Sequence, residues 1–295
     1  MENKITVLDG NNLAHIAFHR GSSIILKKLK EEKEDRTYKL QPEDYPSVEG
    51  MMYHVFFLKL HKLYKDFKNS YFVIAWDSPG STQWRREIYP DYKAGRVYGD
   101  PIWQVLFTGM DNLRVVLDEY PLSQVKVENV EADDIMYKYA QDLHEKYKIV
   151  IITGDSDLLQ ITQEFPSVKI YHPIKSKFVK PPKEYDYCLW KAIKGDKSDD
   201  IPGLPGYGDK RSAKLAIELG EKPNTKLSPD QLAIISRNIQ LISIKNNPNL
   251  ERIPIDEDII LSSSRINPKA IKKFFYDHKL ADQLEKFHET ISIFS

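Results

Sequence analysis

The 295-residue sequence has a single cysteine, no long apolar run and no excess of charge of either sign. Cys188 therefore cannot form a disulfide within the chain, and a cysteine-based zinc site has no support because Cys-x-x-Cys pairs are absent. No apolar run is long enough to cross a bilayer, and the start "MENKITVLDGNN" lacks the pattern of a signal peptide. We expect a soluble, cytoplasmic, monomeric protein that does not bind membranes and has one large domain or two of ordinary size.

The balance of charge, 43 Lys and Arg residues against 43 Asp and Glu residues, argues against a general polyanion binder. The same balance also allows two opposed regions within one chain. The order of the motifs favours this second possibility, because acids follow the strand-like runs and basic residues lie between them.

Four strand-like runs lead into acids: "KITVLD", "YFVIAWD", "SQVKVENVEADD" and "KIVIITGDSD". Helical patterns such as residues 52–67 separate them, which predicts a central, mostly parallel sheet flanked by helices, an α/β fold. Residues 20–50 are charge-rich and read as an excursion from the sheet, part of it helical. Because ligands of open parallel sheets bind beyond the carboxyl ends of the strands, the acids are expected to meet along one edge.

Ten acids belong to these strand ends and to the later stretch "KGDKSDD": Asp9, Asp77, Glu131, Asp133, Asp134, Asp155, Asp157, Asp196, Asp199 and Asp200. Each has a structural explanation of its own, such as a helix cap or a turn. Together, however, they would repel one another, and divalent cations resolve that conflict. Oxygen ligands without a Cys or His cluster favour Mg²⁺ or Mn²⁺, and two ions roughly 4 Å apart are suited to displacement at phosphorus.

The long connection at residues 78–112 is basic and aromatic, and it begins beside the acidic edge. Lysines and arginines hold a phosphate backbone and aromatic rings stack on unpaired bases, although a solvated charged loop has the same composition. The later turn "GLPGYGDK" departs from a P-loop, because Asp209 follows its last glycine. Gly206 and Gly208 are instead expected to expose backbone N–H groups to a phosphate, at the start of a helix that Gly220 closes.

These motifs resemble the 5′ nuclease family of flap endonucleases, the 5′-nuclease domain of bacterial DNA polymerase I and bacteriophage 5′→3′ exonucleases. The resemblance covers nearly the whole chain through "VLDGNN", "VEADD", "TGDSDLLQ" and "KGDKSDDIPGLPGYGDKRSAKL", and "WRREIYPDYKAGR" is most similar to the phage members, a ribonuclease H among them. It implies a PIN-like catalytic domain at 1–180 with a helical arch at about 78–112. It also implies a helical C-terminal region at 181–295 with a helix-hairpin-helix-like element.

The resemblance also assigns roles to residues. A first metal ion would be surrounded by Asp9, Asp77, Glu131, Asp133 and Asp134, with Asp155 near both ions and Asp157, Asp196 and Asp199 at the second. Lys93, Arg96 and Arg86 would stabilise the scissile phosphate, with Asp9 in the same catalytic set. DNA contacts would come from Arg85, Tyr92, Lys191, Lys194, Gly203, Gly206, Gly208, Lys210 and Arg211, with K⁺ at the glycine hairpin. Asp200 departs from the family, where Asn is common, and either tunes the second metal or caps a turn.

The implied function is a two-metal, Mg²⁺-dependent 5′ nuclease that acts on branched or 5′-flap DNA and on RNA–DNA hybrids during replication and repair. Partners of such an enzyme would be a single-strand-binding protein or a sliding clamp. The C-terminal "ETISIFS" resembles short clamp-docking peptides, but a frayed helix end is the favoured explanation of this stretch. Two alternatives stay open. A PIN-like endoribonuclease would share the acidic edge, and a non-catalytic junction-DNA-binding protein would use the acids for structure only.

Overall fold

The computed structural model describes residues 3–222, 224–257 and 266–294. The strands are β1 Lys4–Asp9, β2 Tyr71–Trp76, β3 Ser123–Lys126, β4 Lys148–Ile152, β5 Lys169–His172, β6 Lys177–Val179, β7 Gly195–Asp196 and β8 Ile201–Pro202. The helices are α1 Gly10–Glu32, α2 Tyr45–Asp66, α3 Gln83–Ile88, α4 Ile102–Leu117, α5 Ala132–Leu143, α6 Leu159–Glu164, α7 Tyr187–Lys194, α8 Asp209–Glu221, α9 Pro229–Ile242, α10 Pro268–Asp277, α11 Ala281–Glu285 and α12 Phe287–Ser292. The predicted class, a mostly parallel sheet flanked by helices, is confirmed.

The chain divides into two compact units that alternate along the sequence. The first unit comprises Met1–Ala75, Tyr98–Val125 and Asp256–Ser295, and the second comprises Trp76–Val97 and Lys126–Ile255. The functional boundary expected near residue 180 stays a prediction. Among the described residues, none of the helices combines the length and the apolar character that crossing a bilayer requires.

The first unit is built on β1 and β2, which pair in parallel from Ile5 opposite Tyr71 to Asp9 opposite Ala75. Five of the six residues in each strand are buried, as expected for a strand covered on both faces. The run that the sequence analysis placed outside the sheet, residues 20–50, is partly a continuation of α1, which ends at Glu32, and α2 begins at Tyr45. Its charged residues Lys27, Lys28, Glu31 and Glu32 lie on the exposed face of α1, whereas Asp44 is buried.

The C-terminal residues of the first unit are held by aromatic packing. Phe294 is only 9% exposed, and its ring centroid lies 4.2 Å from that of Tyr64 and 5.0 Å from that of Tyr120. The stretch "ETISIFS", considered as a clamp-docking peptide or a frayed helix end, lies partly in α12 and reaches this cluster at Phe294, and its last residue, Ser295, lies outside the described residues. In this structure the Phe294 side chain is not available to a partner.

The second unit contains β4, β5 and β6, in that order, with β4 parallel and β6 antiparallel to β5. Helices α7, α8 and α9 enclose a separate apolar core that includes Ile193, Leu215 and Leu241. Asn238 is fully buried in this core and donates hydrogen bonds to the carbonyls of Ala192 and Pro202, both at 2.8 Å. One expectation was wrong here: Gly220 lies inside α8, which runs on to Glu221.

Candidate metal centre

Three carboxylates of the second unit converge. Oxygens of Asp157, Asp196 and Asp199 lie within 4.8 Å of one another. Asp157 follows β4, whereas Asp196 ends β7 and Asp199 lies in the short connection between β7 and β8. Carboxylates that are distant in sequence thus form a group of the size that a hard cation occupies.

Two glycines make the β7–β8 hairpin possible. Gly195 has a left-handed φ of +81°, and its pairing with Pro202 brings Gly203 against the backbone of Lys194. A side chain at Gly195 or at Gly203 would overlap this neighbouring backbone. Both glycines therefore position Asp196 and Asp199 through close backbone packing.

Asp196 is buried and its charge is balanced by a lysine. The Lys191 ammonium lies 2.6 Å from Asp196 Oδ2 and also contacts Asp157. Ser198 donates two hydrogen bonds to Asp196 Oδ1, from its hydroxyl at 2.6 Å and from its backbone N–H at 2.8 Å. Burial alone would raise the pKa of Asp196, but Lys191 and Ser198 outweigh it and the pKa lies below the ordinary value. Asp196 is therefore an ionised, oriented oxygen donor.

Asp199 connects this group to the basic segment after α3. Arg96 contacts Asp199 Oδ1 at 2.7 Å, and the Tyr92 hydroxyl donates to Oδ2 at 3.1 Å. The Lys93 ammonium lies 3.9 Å from the same carboxylate, and the Lys93 backbone N–H donates to the Asp199 carbonyl at 3.0 Å. The sequence "YKAGR" thus lies directly beside the acidic group.

A second pair of buried acids lies at the start of α5. Glu131 is the N-cap residue, and its backbone N–H donates to Asp134 Oδ2 at 3.1 Å in a capping box. Lys93 contacts Glu131 at 2.6 Å, and Arg85 contacts both Glu131 and Asp134. Burial would raise the pKa of Glu131, yet Lys93 and Arg85 lower it, whereas burial raises the pKa of Asp134 to about 6.

The remaining predicted acids of this unit adjoin the same elements. Asp77 Oδ1 accepts the Ala132 backbone N–H at 2.7 Å, and Asp155 Oδ1 accepts the Asp157 N–H at 2.8 Å. Asp133 is half-buried in the first turn of α5. Asp9 belongs to the first unit, where it ends β1 and accepts the Asn12 N–H at 2.8 Å as the N-cap of α1.

The donor set fits divalent metal ions with oxygen ligands. Nine of the ten predicted acids lie in the second unit, and Arg85, Lys93, Arg96 and Lys191 form ion pairs with acids of this set. The donors at Asp157, Asp196 and Asp199 are all carboxylates, which suit Mg²⁺ or Mn²⁺. We find that the residues present fit such an ion.

Three predicted DNA contacts are buried. Arg85 is 3% exposed, Tyr92 2% and Lys191 7%. Each contacts one or more of the acids described above. None of these side chains can reach a nucleic acid in this conformation, so the structure assigns them to holding carboxylates instead. The sequence carried no signal for this role in Arg85 and Tyr92, which lie 46 and 107 residues from their partners Glu131 and Asp199.

Other predicted contacts are exposed. Gly206, Gly208, Lys210 and Arg211 lie at the surface where α8 begins, and Gly208 is the N-cap of that helix. Arg211 stacks over the Tyr207 ring at 4.2 Å. Lys194 pairs with Asp209 at 2.6 Å. Arg86 is exposed, and its Nε donates to the Tyr92 carbonyl at 3.2 Å.

Cys188, expected to be buried, is only half-buried.

Asp200, the departure from the family pattern, caps a turn. Its carboxylate accepts the Gly95 backbone N–H at 2.7 Å, and its own φ of +57° is left-handed. This contact joins the "YKAGR" segment to the β7–β8 connection. Two roles were considered for Asp200, tuning the second metal and capping a turn, and this contact is of the second kind.

The 5′-3′ exonuclease N-terminal resolvase-like domain matches residues 4–187. The chain belongs to the 5′-3′ exonuclease family. Within this family it is 30% identical to a DNA polymerase I of Bacillus subtilis over 225 residues, which is 72% of this chain and 23% of the polymerase. It is 28% identical to a 5′-3′ exonuclease of Streptomyces coelicolor over 201 residues, 58% of this chain and 66% of that protein. The chain thus spans about a quarter of the polymerase.

Solved structures with the same fold include bacteriophage T5 5′-exonuclease with bound zinc ions, at 16% identity and a TM-score of 0.55 over 94% of this chain and 99% of that one. The catalytic core of Rad2 in complex with DNA substrate gives a TM-score of 0.54 at 14% identity, over 99% of this chain and 92% of that one. At these identities the likeness shows that this exonuclease-family chain shares their fold.

Proposed function

We propose that this chain is a divalent-metal-dependent 5′ nuclease that hydrolyses phosphodiester bonds near 5′ ends of branched DNA. The observation that carries the proposal is the group of Asp157, Asp196 and Asp199 oxygens within 4.8 Å, beside Lys93 and Arg96. Membership in the 5′-3′ exonuclease family supports it. Two similar structures support it as well, that of T5 5′-exonuclease with bound zinc and that of the Rad2 catalytic core with DNA substrate.

The proposal assigns the carboxylates to metal binding and two basic residues to phosphate binding. Asp157, Asp196 and Asp199 would hold one ion, whereas Asp77, Glu131, Asp133 and Asp134 would hold another, with Asp155 near both. Bound divalent ions supply an activated water and neutralise the charge that develops at phosphorus. Arg96, whose side chain is 43% exposed, and Lys93 would bind the scissile phosphate where that charge develops.

The exposed residues at the start of α8 would bind the duplex. Gly206 and Gly208 offer backbone N–H groups, and Lys210 and Arg211 add positive charge at the same surface. This arrangement reads the phosphate backbone rather than the bases, so we expect preference for the shape of the substrate over its sequence. A K⁺ ion at the glycine hairpin belongs to the same proposal.

The test is cleavage of a 5′-labelled flap duplex and a matched RNA–DNA hybrid, each with Mg²⁺, with Mn²⁺ and with EDTA. We expect metal-dependent release of short 5′ fragments. The preferred substrate then separates flap processing from primer removal, and the comparison of metals identifies the better cofactor. Cleavage confined to single-stranded RNA would instead favour a PIN-like endoribonuclease.

Matched variants connect cleavage to the carboxylate group. Asp196→Asn removes one charge from the group and should nearly abolish cleavage while leaving flap-DNA binding measurable. Asp111→Asn is the control, because Asp111 is an exposed acid that pairs with Arg114 and belongs to none of the predicted metal ligands. Wild-type turnover in Asp196→Asn would reject this metal centre, and DNA binding without cleavage by the wild-type protein would favour a junction-binding protein.

A further inference from the structure

Lys191 is a charged side chain that the proposed function leaves without a task. It lies in α7, its side chain is 9% exposed, and its ammonium contacts both Asp157 and Asp196, the latter at 2.6 Å. These are two of the three carboxylates that form the candidate site for a divalent ion. The ammonium therefore uses the same oxygens that such an ion would use.

The lysine is held at this position by the fold. Lys191 lies one turn before the end of α7, which packs against α8 and α9 in the apolar core of the second unit. The neighbouring Ala192 and Ile193 are completely buried, so the helix face that carries Lys191 cannot turn toward solvent. An ammonium in this place balances two carboxylates that would otherwise repel each other.

We propose that Lys191 is an internal counter-cation that competes with a divalent ion for Asp157 and Asp196, so that binding of the ion requires the ammonium to withdraw. The inference rests on the proposed metal centre. An ammonium and a divalent cation repel each other, and neither can use the same oxygen lone pairs fully in the presence of the other. Lys191 thus lowers the affinity of this site for a divalent ion while it keeps the two carboxylates close together.

Withdrawal of a long side chain is physically simple. The lysine stem has four rotatable carbon–carbon bonds, and the ammonium is a compact group that can move several ångströms without any change in the backbone. Arg96 and Lys93 contact Asp199, the third carboxylate, whereas the Lys191 ammonium contacts Asp157 and Asp196. Movement of Lys191 would therefore free oxygens of these two carboxylates.

The first test is direct binding of Mn²⁺ to the full chain, followed by calorimetry, in variants of one helix. Lys191→Gln should tighten the weaker of the Mn²⁺ sites by about tenfold, equivalent to about 1.4 kcal/mol. Lys191→Arg keeps the charge and should leave that site as weak as in the wild type. The matched control is Lys194→Gln, because Lys194 is an exposed lysine of the same helix that pairs with Asp209. Unchanged or weaker Mn²⁺ binding in Lys191→Gln would overturn the proposal.

The melting temperature gives a second readout, in which Lys191→Gln is expected to be weaker than the wild type rather than stronger. In EDTA, Lys191→Gln should melt at a lower temperature than the wild type, since two close carboxylates lose their counter-charge. Saturating Mn²⁺ should remove most of this difference. A melting temperature in EDTA equal to that of the wild type would show that Lys191 contributes no counter-charge.

A third measurement uses the unmodified protein and covers the case in which Lys191→Gln does not fold. Lysine acetylation followed by mass spectrometry should find Lys191 protected in EDTA and several-fold more reactive at saturating Mg²⁺, with Lys194 equally reactive in both. Equal or lower reactivity of Lys191 with Mg²⁺ would refute withdrawal. These readouts are independent of cleavage. If the protein binds metal in this way but cuts no substrate, the proposed function is refuted and the inference about Lys191 is not.

Discussion

Arg85 is expected to stabilise the second unit rather than to bind DNA, and the replacement Arg85→Met tests this. Its guanidinium is buried, contacts Glu131 and Asp134, and donates from Nε to the Leu241 carbonyl at 2.9 Å. Removal of one partner from a buried ion pair costs about 3–5 kcal/mol, because the remaining charge is left uncompensated. The unfolding free energy of a whole domain is about 5–15 kcal/mol, so Arg85→Met should lose a large share of it.

The assay is urea unfolding in EDTA, followed by circular dichroism. Arg85→Met should lose about 3–5 kcal/mol of unfolding free energy. Arg85→Lys keeps the charge but loses the forked geometry, and it should fall between this variant and the wild type. The control Arg86→Met removes an exposed neighbour with a single backbone hydrogen bond and should cost about 0.5–1.5 kcal/mol.

The opposite result is equally clear. If Arg85 contacts DNA, as the family resemblance suggested, then Arg85→Met should weaken flap-DNA binding while its unfolding free energy stays within about 1 kcal/mol of the wild type. That outcome would refute the buried pair, together with the assignment of Glu131 and Asp134 as its partners.

Three further predictions concern the same unit. Gly203→Ala should lower the free energy of unfolding in urea by about 3 kcal/mol or more, because its new methyl group meets the Lys194 backbone. The control Gly208→Ala meets nothing within 4 Å and should cost less than about 1 kcal/mol, so equal costs would contradict the packing role of Gly203. Asp200→Ala should lose about 0.5–1.5 kcal/mol with the hydrogen bond to the Gly95 N–H, and Asp200→Asn should retain most of it; if Asp200→Asn instead changes Mn²⁺ affinity, Asp200 acts on the metal. Lys93→Ala should lower turnover on flap DNA by about a hundredfold with a smaller effect on affinity, since its charge is needed in the transition state; an effect on affinity alone would make it a simple backbone contact.

Local sequence patterns were sufficient to predict much of this protein. The β-branched runs ending at Asp9 and Asp77 form parallel strands, because both faces of such strands are buried and the pattern is short and apolar. The chemistry of the site also follows from residue types: many carboxylates with no Cys or His cluster indicate a hard divalent ion. The order of the motifs indicated the family, which the match over residues 4–187 shows.

The tertiary structure alone decided which basic residues face the acids. Arg85 and Arg86 are adjacent in sequence, yet one is buried against Glu131 and the other is exposed, because successive residues of α3 point in different directions. Lys191 and Lys194 lie in one helix, but Lys191 contacts Asp196 of the candidate metal site, whereas Lys194 pairs with the exposed Asp209. Composition and spacing cannot distinguish such pairs, since a lysine that binds a phosphate and a lysine that neutralises an aspartate are the same residue. The difference comes from burial, which is a property of the packed chain.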